Sequence, residues 1–184
     1  LIPRPETEML IDIIKDNTYK KMLDIGTGAG TIAITASLEN IAESIDAIDI
    51  DINALKIAKK NQIKFKTSKV HFLKMDILKT TPNLKYDIIV SNPPYVSFKE
   101  YNQLGQEVKQ HEPIHAITDF KDGLTFYKRY AIILKEILNS NGIAIFELSH
   151  IFKKEDLNKI FVDFNNIEFY NDLNQDSRFI KITL

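Results

Sequence analysis

The chain has 184 residues, 44% of them hydrophobic, and 24 Lys plus Arg against 25 Asp plus Glu, for a formal net charge of −1. That length fits one domain with a full core, burying about 70% of its unfolded surface. Without cysteine there are no disulfides or thiolate metal sites. With no apolar run near the roughly 18 residues of a membrane span and no basic-then-apolar leader, a soluble cytoplasmic protein without membrane contact is expected.

Strands and helices alternate along the chain. A proline followed by acids predicts a helix from Pro5 to about Lys15, and Lys21 to Ile25 reads as a short buried strand. Gly26-Thr27-Gly28-Ala29-Gly30 turns into a helix over Thr31 to Glu39. Then follow a strand at Ile45 to Ile48, a helix at Ile52 to Lys64, and strands at Val70 to Leu73 and Tyr86 to Ser91. After a long connection come a helix at Leu124 to Asn139, a strand at Gly142 to Leu148 and a helix at Lys153 to Phe164. Ile167 to Tyr170 and Phe179 to Leu184 read as a closing hairpin. The expected fold is α/β: a doubly wound, mostly parallel seven-stranded sheet with an antiparallel edge hairpin.

In such sheets ligands bind beyond the carboxyl ends of the strands, where strand order reverses, and the suspect motifs all fall there. In Asp24-Ile25-Gly26-Thr27-Gly28-Ala29-Gly30 the glycines permit a sharp turn and a close backbone approach, which signals a nucleotide-like ligand. Thr31 occupies the position where a dinucleotide fingerprint wants Gly or Ala, which weakens the nicotinamide reading. Asp49, nineteen residues after Gly30, can accept both hydroxyls of a ribose; Asp51 follows it, and caps the next helix on the alternative reading. Asp76 after the third strand can take an exocyclic adenine amino group between apolar neighbours, or is a turn aspartate.

Asn92-Pro93-Pro94-Tyr95 ends the fourth strand. An amide or aromatic amino group is a poor nucleophile because its lone pair is delocalised, so alkylating it requires that the group be fixed and its reactive form favoured, and two acceptors aimed at its two N–H bonds would do both. The Asn92 side chain offers one and the Pro93 carbonyl the other, while Pro94 holds the chain extended. Tyr95 offers a flat face. The bland alternative is a proline turn whose tyrosine fills the core.

Together, Leu1-Ile2-Pro3-Arg4-Pro5-Glu6-Thr7-Glu8, the Asp24 to Gly30 turn, Ser91-Asn92-Pro93-Pro94-Tyr95-Val96 and Asp122-Gly123-Leu124-Thr125-Phe126-Tyr127 resemble the protein-(glutamine N5) methyltransferase family that modifies peptide chain release factors. The likeness spans nearly the whole chain. Asn-Pro-Pro-Tyr alone also fits nucleic-acid amino methyltransferases acting on adenine N6 or guanine N2, which remain the alternative.

The resemblance implies the class I S-adenosylmethionine-dependent methyltransferase fold, with S-adenosyl-L-methionine as donor and S-adenosyl-L-homocysteine as product. The residues implied for the cofactor are Asp24, Gly26, Thr27, Gly28, Gly30, Asp49, Ile50, Asp76, Ile77 and Asn92. The acceptor implied is the glutamine of a release factor's Gly-Gly-Gln loop, with Asn92, Pro93, Pro94 and Tyr95 catalytic and Arg4, Pro5, Glu8 and Glu112 as substrate-loop candidates. It also implies a small helical recognition domain upstream, so residues 1–184 are expected to be a catalytic domain lacking it.

Two stretches depart from the family pattern. Glu147-Leu148-Ser149-His150-Ile151-Phe152 lacks the usual Gly and Gln, and Asp172-Leu173-Asn174-Gln175 replaces an Asp-Leu-Ala-Gly run while Arg178 is retained. The four histidines show no metal-ligand spacing, and no metal is expected. Residues 54 to 85 hold nine lysines and one acid, Asp76. That run reads as a solvated face in preference to a nucleic-acid surface, because no aromatics are interleaved to stack bases. A monomer is expected.

Overall fold

The computed structural model describes residues 5–105, 113–172 and 174–184, without the side chains of residues 5–7. In chain order it contains α1 (Pro5–Ile14), β1 (Tyr19–Ile25), α2 (Thr31–Leu38), β2 (Ala42–Asp49), α3 (Ile52–Phe65), β3 (Val70–Lys74), β4 (Tyr86–Ser91), α4 (Phe98–Gln103), α5 (Ile114–Ile117), α6 (Thr125–Ile137), β5 (Leu138–Glu147), α7 (Lys154–Ile160), β6 (Asn166–Asn171) and β7 (Ser177–Thr183).

The strands join into one seven-stranded sheet in the order β3-β2-β1-β4-β5-β7-β6. The pairs from β3 to β5 are parallel, and β7 runs antiparallel to both β5 and β6. This is the doubly wound sheet with an antiparallel edge that the sequence predicts. Order reverses between β1 and β4, so connections leave their C-terminal ends in opposite directions and open a crevice there.

The period of two along each strand divides the core between the two faces of the sheet. Leu23, Ile25, Ile89 and Phe146 pack with Tyr127, Tyr130, Ile133 and Leu134 of α6 and Leu157 of α7. Met22, Ile88, Val90 and Ile145 pack with Leu10 and Ile14 of α1 and Ile32, Ala33 and Ala36 of α2. Burial on both sides explains why these strands read as continuous apolar runs. No helix among the described residues is long and apolar enough to cross a membrane.

Several boundaries differ from the sequence reading. The helix expected to reach Asn139 stops at Ile137, and β5 begins at Leu138. Leu138 pairs with Tyr86, and the register then shifts so that Ile143 pairs with Ile88. The extra residues bulge out through Asn141 at φ 64°, and the Asn139 amide donates to Asp87 Oδ1 at 2.8 Å. Helix α7 ends at Ile160, short of Phe164. The connection after β4 contains α4 and α5, with α4 held by a capping box between Ser97 and Glu100.

Gly30, at φ 83°, starts α2 in a conformation that disfavours other residues, and a Cβ there would lie 3.0 Å from the Phe72 ring and 3.2 Å from Ala58 Cβ. Gly30→Ala is therefore expected to lower the unfolding free energy by about 1–3 kcal/mol in urea titration. Wild-type stability in that variant would mean that the neighbours yield freely.

Candidate active site

The turn after β1 is organised from below by Asp24. Its side chain is fully buried; Oδ2 accepts from the Thr27 hydroxyl at 2.7 Å, while Oδ1 has no hydrogen-bond partner among the described residues. Burial pushes this carboxyl up to about 7, the Thr27 bond and the Ala33 N–H oppose the rise, and the Asp49 charge adds to it. A carboxyl that holds its proton up to about pH 7 thus props the turn. Above it, Gly26 and Gly28 have φ of 74° and 56°, and a Cβ on Gly28 would meet nothing within 4 Å. The turn presents bare backbone to open space.

That space is a cavity of about 310 Å³ at the reversal point, within the range of small-molecule sites. Gly26, Gly28, Asp49, Ile50, Asp76 and Ile77 line one side, and Asn92, Pro93 and Pro94 another. Asp49 Oδ2 accepts from the Gly28 N–H and Oδ1 from the Asp51 N–H, each at 2.8 Å, leaving lone pairs on both oxygens. Asp51 caps α3 through the Asn53 N–H at 2.8 Å and also lines the cavity, with His115 Nε2 at 3.6 Å from its Oδ2. Asp76 bonds the Leu78 N–H at 3.1 Å through Oδ1, and Lys79 Nζ lies 3.2 Å from its Oδ2.

At the end of β4, Ser91 Oγ donates to the Ile25 carbonyl at 2.7 Å and lies 2.9 Å from Tyr130 Oη. One hydroxyl proton cannot serve both, so Tyr130 donates to Ser91. Asn92 follows, and its carboxamide has no hydrogen-bond partner among the described residues. The segment beyond is stitched to the far loop: Val96 N–H donates to the Ile117 carbonyl at 3.1 Å and Phe98 N–H to the Lys121 carbonyl at 3.0 Å. Asp119 gathers the N–H groups of Lys121, Gly123 and Thr125. A Cβ on Gly123, at φ 83°, would collide with the Tyr95 carbonyl, so glycine is required where the Asp122-Gly123-Leu124 motif crosses the strand exit.

The cavity brings together Gly26, Gly28, Asp49, Ile50, Asp76, Ile77, Asn92, Pro93 and Pro94. Asp24, Thr27 and Gly30 do not line it; they shape the turn from beneath, because the strand register points the Asp24 side chain into the interior. Tyr95 is also off the lining: its hydroxyl donates to Glu147 Oε1 at 3.1 Å and its ring packs against the core. Glu8 is exposed on α1 and outside the lining, and Pro5 opens α1. Arg4 and Glu112, like the Pro5 side chain, lie outside the described residues. Sequence reasoning missed Thr118, Asp119, Phe120, Phe126 and Tyr130, which are also among the lining residues. The readable signals were the length of the 97–123 connection and the aromatic pair four residues apart on α6.

Residues 5–111 match the family described as Methyltransferase small domain. A release factor glutamine methyltransferase from Fusobacterium nucleatum is 40% identical over 170 residues, covering 90% of this chain and 48% of the relative. Another, from Flavobacterium psychrophilum, is 36% identical over 99% of this chain and 67% of the relative. The chain belongs to the release factor glutamine methyltransferase family. It spans about half the length of the first curated relatives it matches, 48% of the Fusobacterium protein and 54% of one from Bacillus subtilis.

Among solved structures, a methyltransferase from Pyrococcus furiosus superposes with a TM-score of 0.74 at 17% identity, over 100% of this chain and 84% of that one. The N-methyltransferase NodS from Bradyrhizobium japonicum, solved with S-adenosyl-L-homocysteine, gives a TM-score of 0.59 at 14% identity over 97% and 84%. At such identities the likeness concerns the fold.

For this member of the release factor glutamine methyltransferase family, the buried Asp24 predicts a pH dependence. Between the unfolded value near 3.8 and the folded value about 7 the native state holds a proton that the unfolded chain has lost. The stability from this group is fully present below about pH 4 and is lost as pH rises through 7, by a few kcal/mol at most. Asp24→Asn should flatten that decline in urea unfolding at pH 5, 6, 7 and 8; an unchanged slope would mean that Asp24 ionises freely in the fold.

Proposed function

We propose that this chain methylates the side-chain amide nitrogen of the glutamine in the Gly-Gly-Gln loop of peptide chain release factors, with S-adenosyl-L-methionine as donor and S-adenosyl-L-homocysteine as product. Residues 1–184 act as the catalytic domain, in the cytoplasm and as a monomer. The observation that carries the reading is the strand end Asn92-Pro93-Pro94, which lines one cavity with Asp49 and Asp76 and whose Asn92 carboxamide has no hydrogen-bond partner among the described residues.

The residues present fit this cofactor. A Cβ on Gly28 would project into open space with nothing within 4 Å, so glycine leaves the backbone accessible there. Among the described residues, the ionisable groups that line the cavity are Asp49, Asp51, Asp76, Asp119, His115 and Tyr130, with no Lys or Arg. Such a site disfavours a pyrophosphate and favours a ligand carrying positive charge and hydroxyls, as the sulfonium, ammonium and ribose of S-adenosylmethionine do. Asp49 would hold the ribose hydroxyls through its remaining lone pairs, Asp76 the adenine amino group beside Ile50 and Ile77, and Gly26 and Gly28 would let the backbone approach. When bound, this cofactor supplies an electrophilic methyl group.

The chain's own work is to make a glutamine amide reactive. The Asn92 side-chain oxygen accepts one N–H of the substrate amide and the Pro93 carbonyl the other. Two acceptors fix the nitrogen and draw electron density onto it. Pro94 biases Pro93 to an extended conformation, which keeps the Pro93 carbonyl out of a tight turn. After transfer the nitrogen is acidic and releases a proton to solvent, so no strong base is required.

Mass spectrometry of a purified release factor incubated with this chain and S-adenosylmethionine should show one added methyl group on the Gly-Gly-Gln form and none on a Gly-Gly-Asn form. Equal labelling of both forms, or none, would overturn the acceptor assignment. Asn92→Ala should lower turnover by about 100-fold or more while calorimetry shows S-adenosylhomocysteine still binding. Full activity in that variant would remove the amide-gripping role.

A further inference from the structure

Arg129, half-buried on α6, reaches across to the connection that follows β3. Its Nε donates to the Ile77 carbonyl and its Nη2 to Thr81 Oγ1, each at 2.8 Å. The other hydrogen bonds within 76–81 are local: Lys79 and Thr80 N–H to the Asp76 carbonyl, and Leu78 N–H to Asp76 Oδ1. Among the described residues, Arg129 supplies the hydrogen bonds that tie this segment to another element.

The Ile77 carbonyl and the Leu78 N–H belong to the same peptide unit. Arg129 holds its oxygen, and its N–H holds the Asp76 carboxylate at 3.1 Å. A guanidinium on the carbonyl polarises the peptide and strengthens the bond its N–H makes. The position of one cavity-lining carboxylate is thereby set by a cation that is not itself part of the lining. The next residue, Tyr130, lines the cavity and secures Ser91 on its opposite side.

We propose that Arg129 is a positioning residue that fixes Asp76 and Ile77 at the purine end of the cavity and so sets the preference for a 6-amino purine. This rests on the S-adenosylmethionine reading above. It does not depend on the acceptor, and its test reads binding directly.

The experiment is calorimetric titration of wild type, Arg129→Met, Arg129→Lys and Thr81→Val with S-adenosylhomocysteine and with its inosine analogue, which carries oxygen in place of the 6-amino group. Arg129→Met keeps the aliphatic stem and should weaken S-adenosylhomocysteine about tenfold while binding the inosine analogue nearly as wild type does, so that the preference collapses. Arg129→Lys should restore part of it, and Thr81→Val should show a smaller loss in the same direction. The KM for the release factor and kcat at saturating donor should be unchanged. Equal weakening of both ligands, or wild-type binding of both by Arg129→Met and Thr81→Val, would overturn the proposal. Should Arg129→Met fail to fold, the Thr81→Val comparison decides. If wild type binds neither ligand, the cofactor reading itself is wrong, a result distinct from wild-type binding that the variants leave unaltered.

Discussion

The chain of hydroxyls from Tyr130 through Ser91 to the Ile25 carbonyl is the constraint on which the site depends. It is buried, it uses each proton once, and it joins the ends of β1 and β4 where their connections diverge. A parallel sheet that reverses order must open there, and an open crevice between strand ends tends to close by collapse of side chains. A small hydroxyl at Ser91 and a large one at Tyr130 resist that collapse. Loss of either partner would leave a buried polar group whose desolvation costs about 1–3 kcal/mol. Burial holds the Tyr130 phenol well above its ordinary range, so it remains a donor at neutral pH.

Helix α6 extends this control to the rest of the rim. Tyr127 Oη donates to the Glu147 carbonyl at 2.6 Å, at the end of β5. Asp119 accepts from Thr125 N–H at the start of the helix, and Phe126 joins the cavity wall. One element thus fixes the ends of two adjacent strands and one flank of the mouth. The same helix buries Ile133, Leu134 and Ile137 against the sheet, so the geometry of the rim is anchored in the part of the core that is hardest to deform. The second departure from the family pattern falls at a stitch of similar kind: Asp172 takes N–H bonds from Asn174 and Asp176 and an ion pair from Arg178.

The sheet was legible because burial on both faces leaves long apolar runs, and glycine at Gly26, Gly28 and Gly30 marks a turn few other residues could make. Helix ends were less so. Ile133, Leu134, Ile137 and Leu138 continue an apolar helical spacing without interruption, and the chain leaves the helix because Tyr86 on β4 takes Leu138 as a strand partner. That decision is made by tertiary pairing and leaves no local mark. Helix α4 did leave one, the Ser97 to Glu100 capping box, but its residues lack apolar periodicity. For the site, residue type revealed which motifs gather at the strand ends but not which atoms face the cavity. Asp24 and Asp49 are both strand-end aspartates, and only the register separates a buried prop from a lining group.

That separation has an electrostatic reason. Four aspartates line the cavity, and each is stabilised by something local: two backbone N–H groups on Asp49, the helix start at Asp51, one N–H and Lys79 at Asp76, three N–H groups on Asp119. Asp24 lies behind them, fully buried, supported by the Thr27 hydroxyl and the Ala33 N–H and close enough to feel the Asp49 charge. Ionisation would add a desolvated negative charge to a site already rich in them, so the proton is held up to about pH 7. The raised proton affinity of this buried carboxyl thus comes first from its burial, with the crowding of aspartates at the strand ends adding to it.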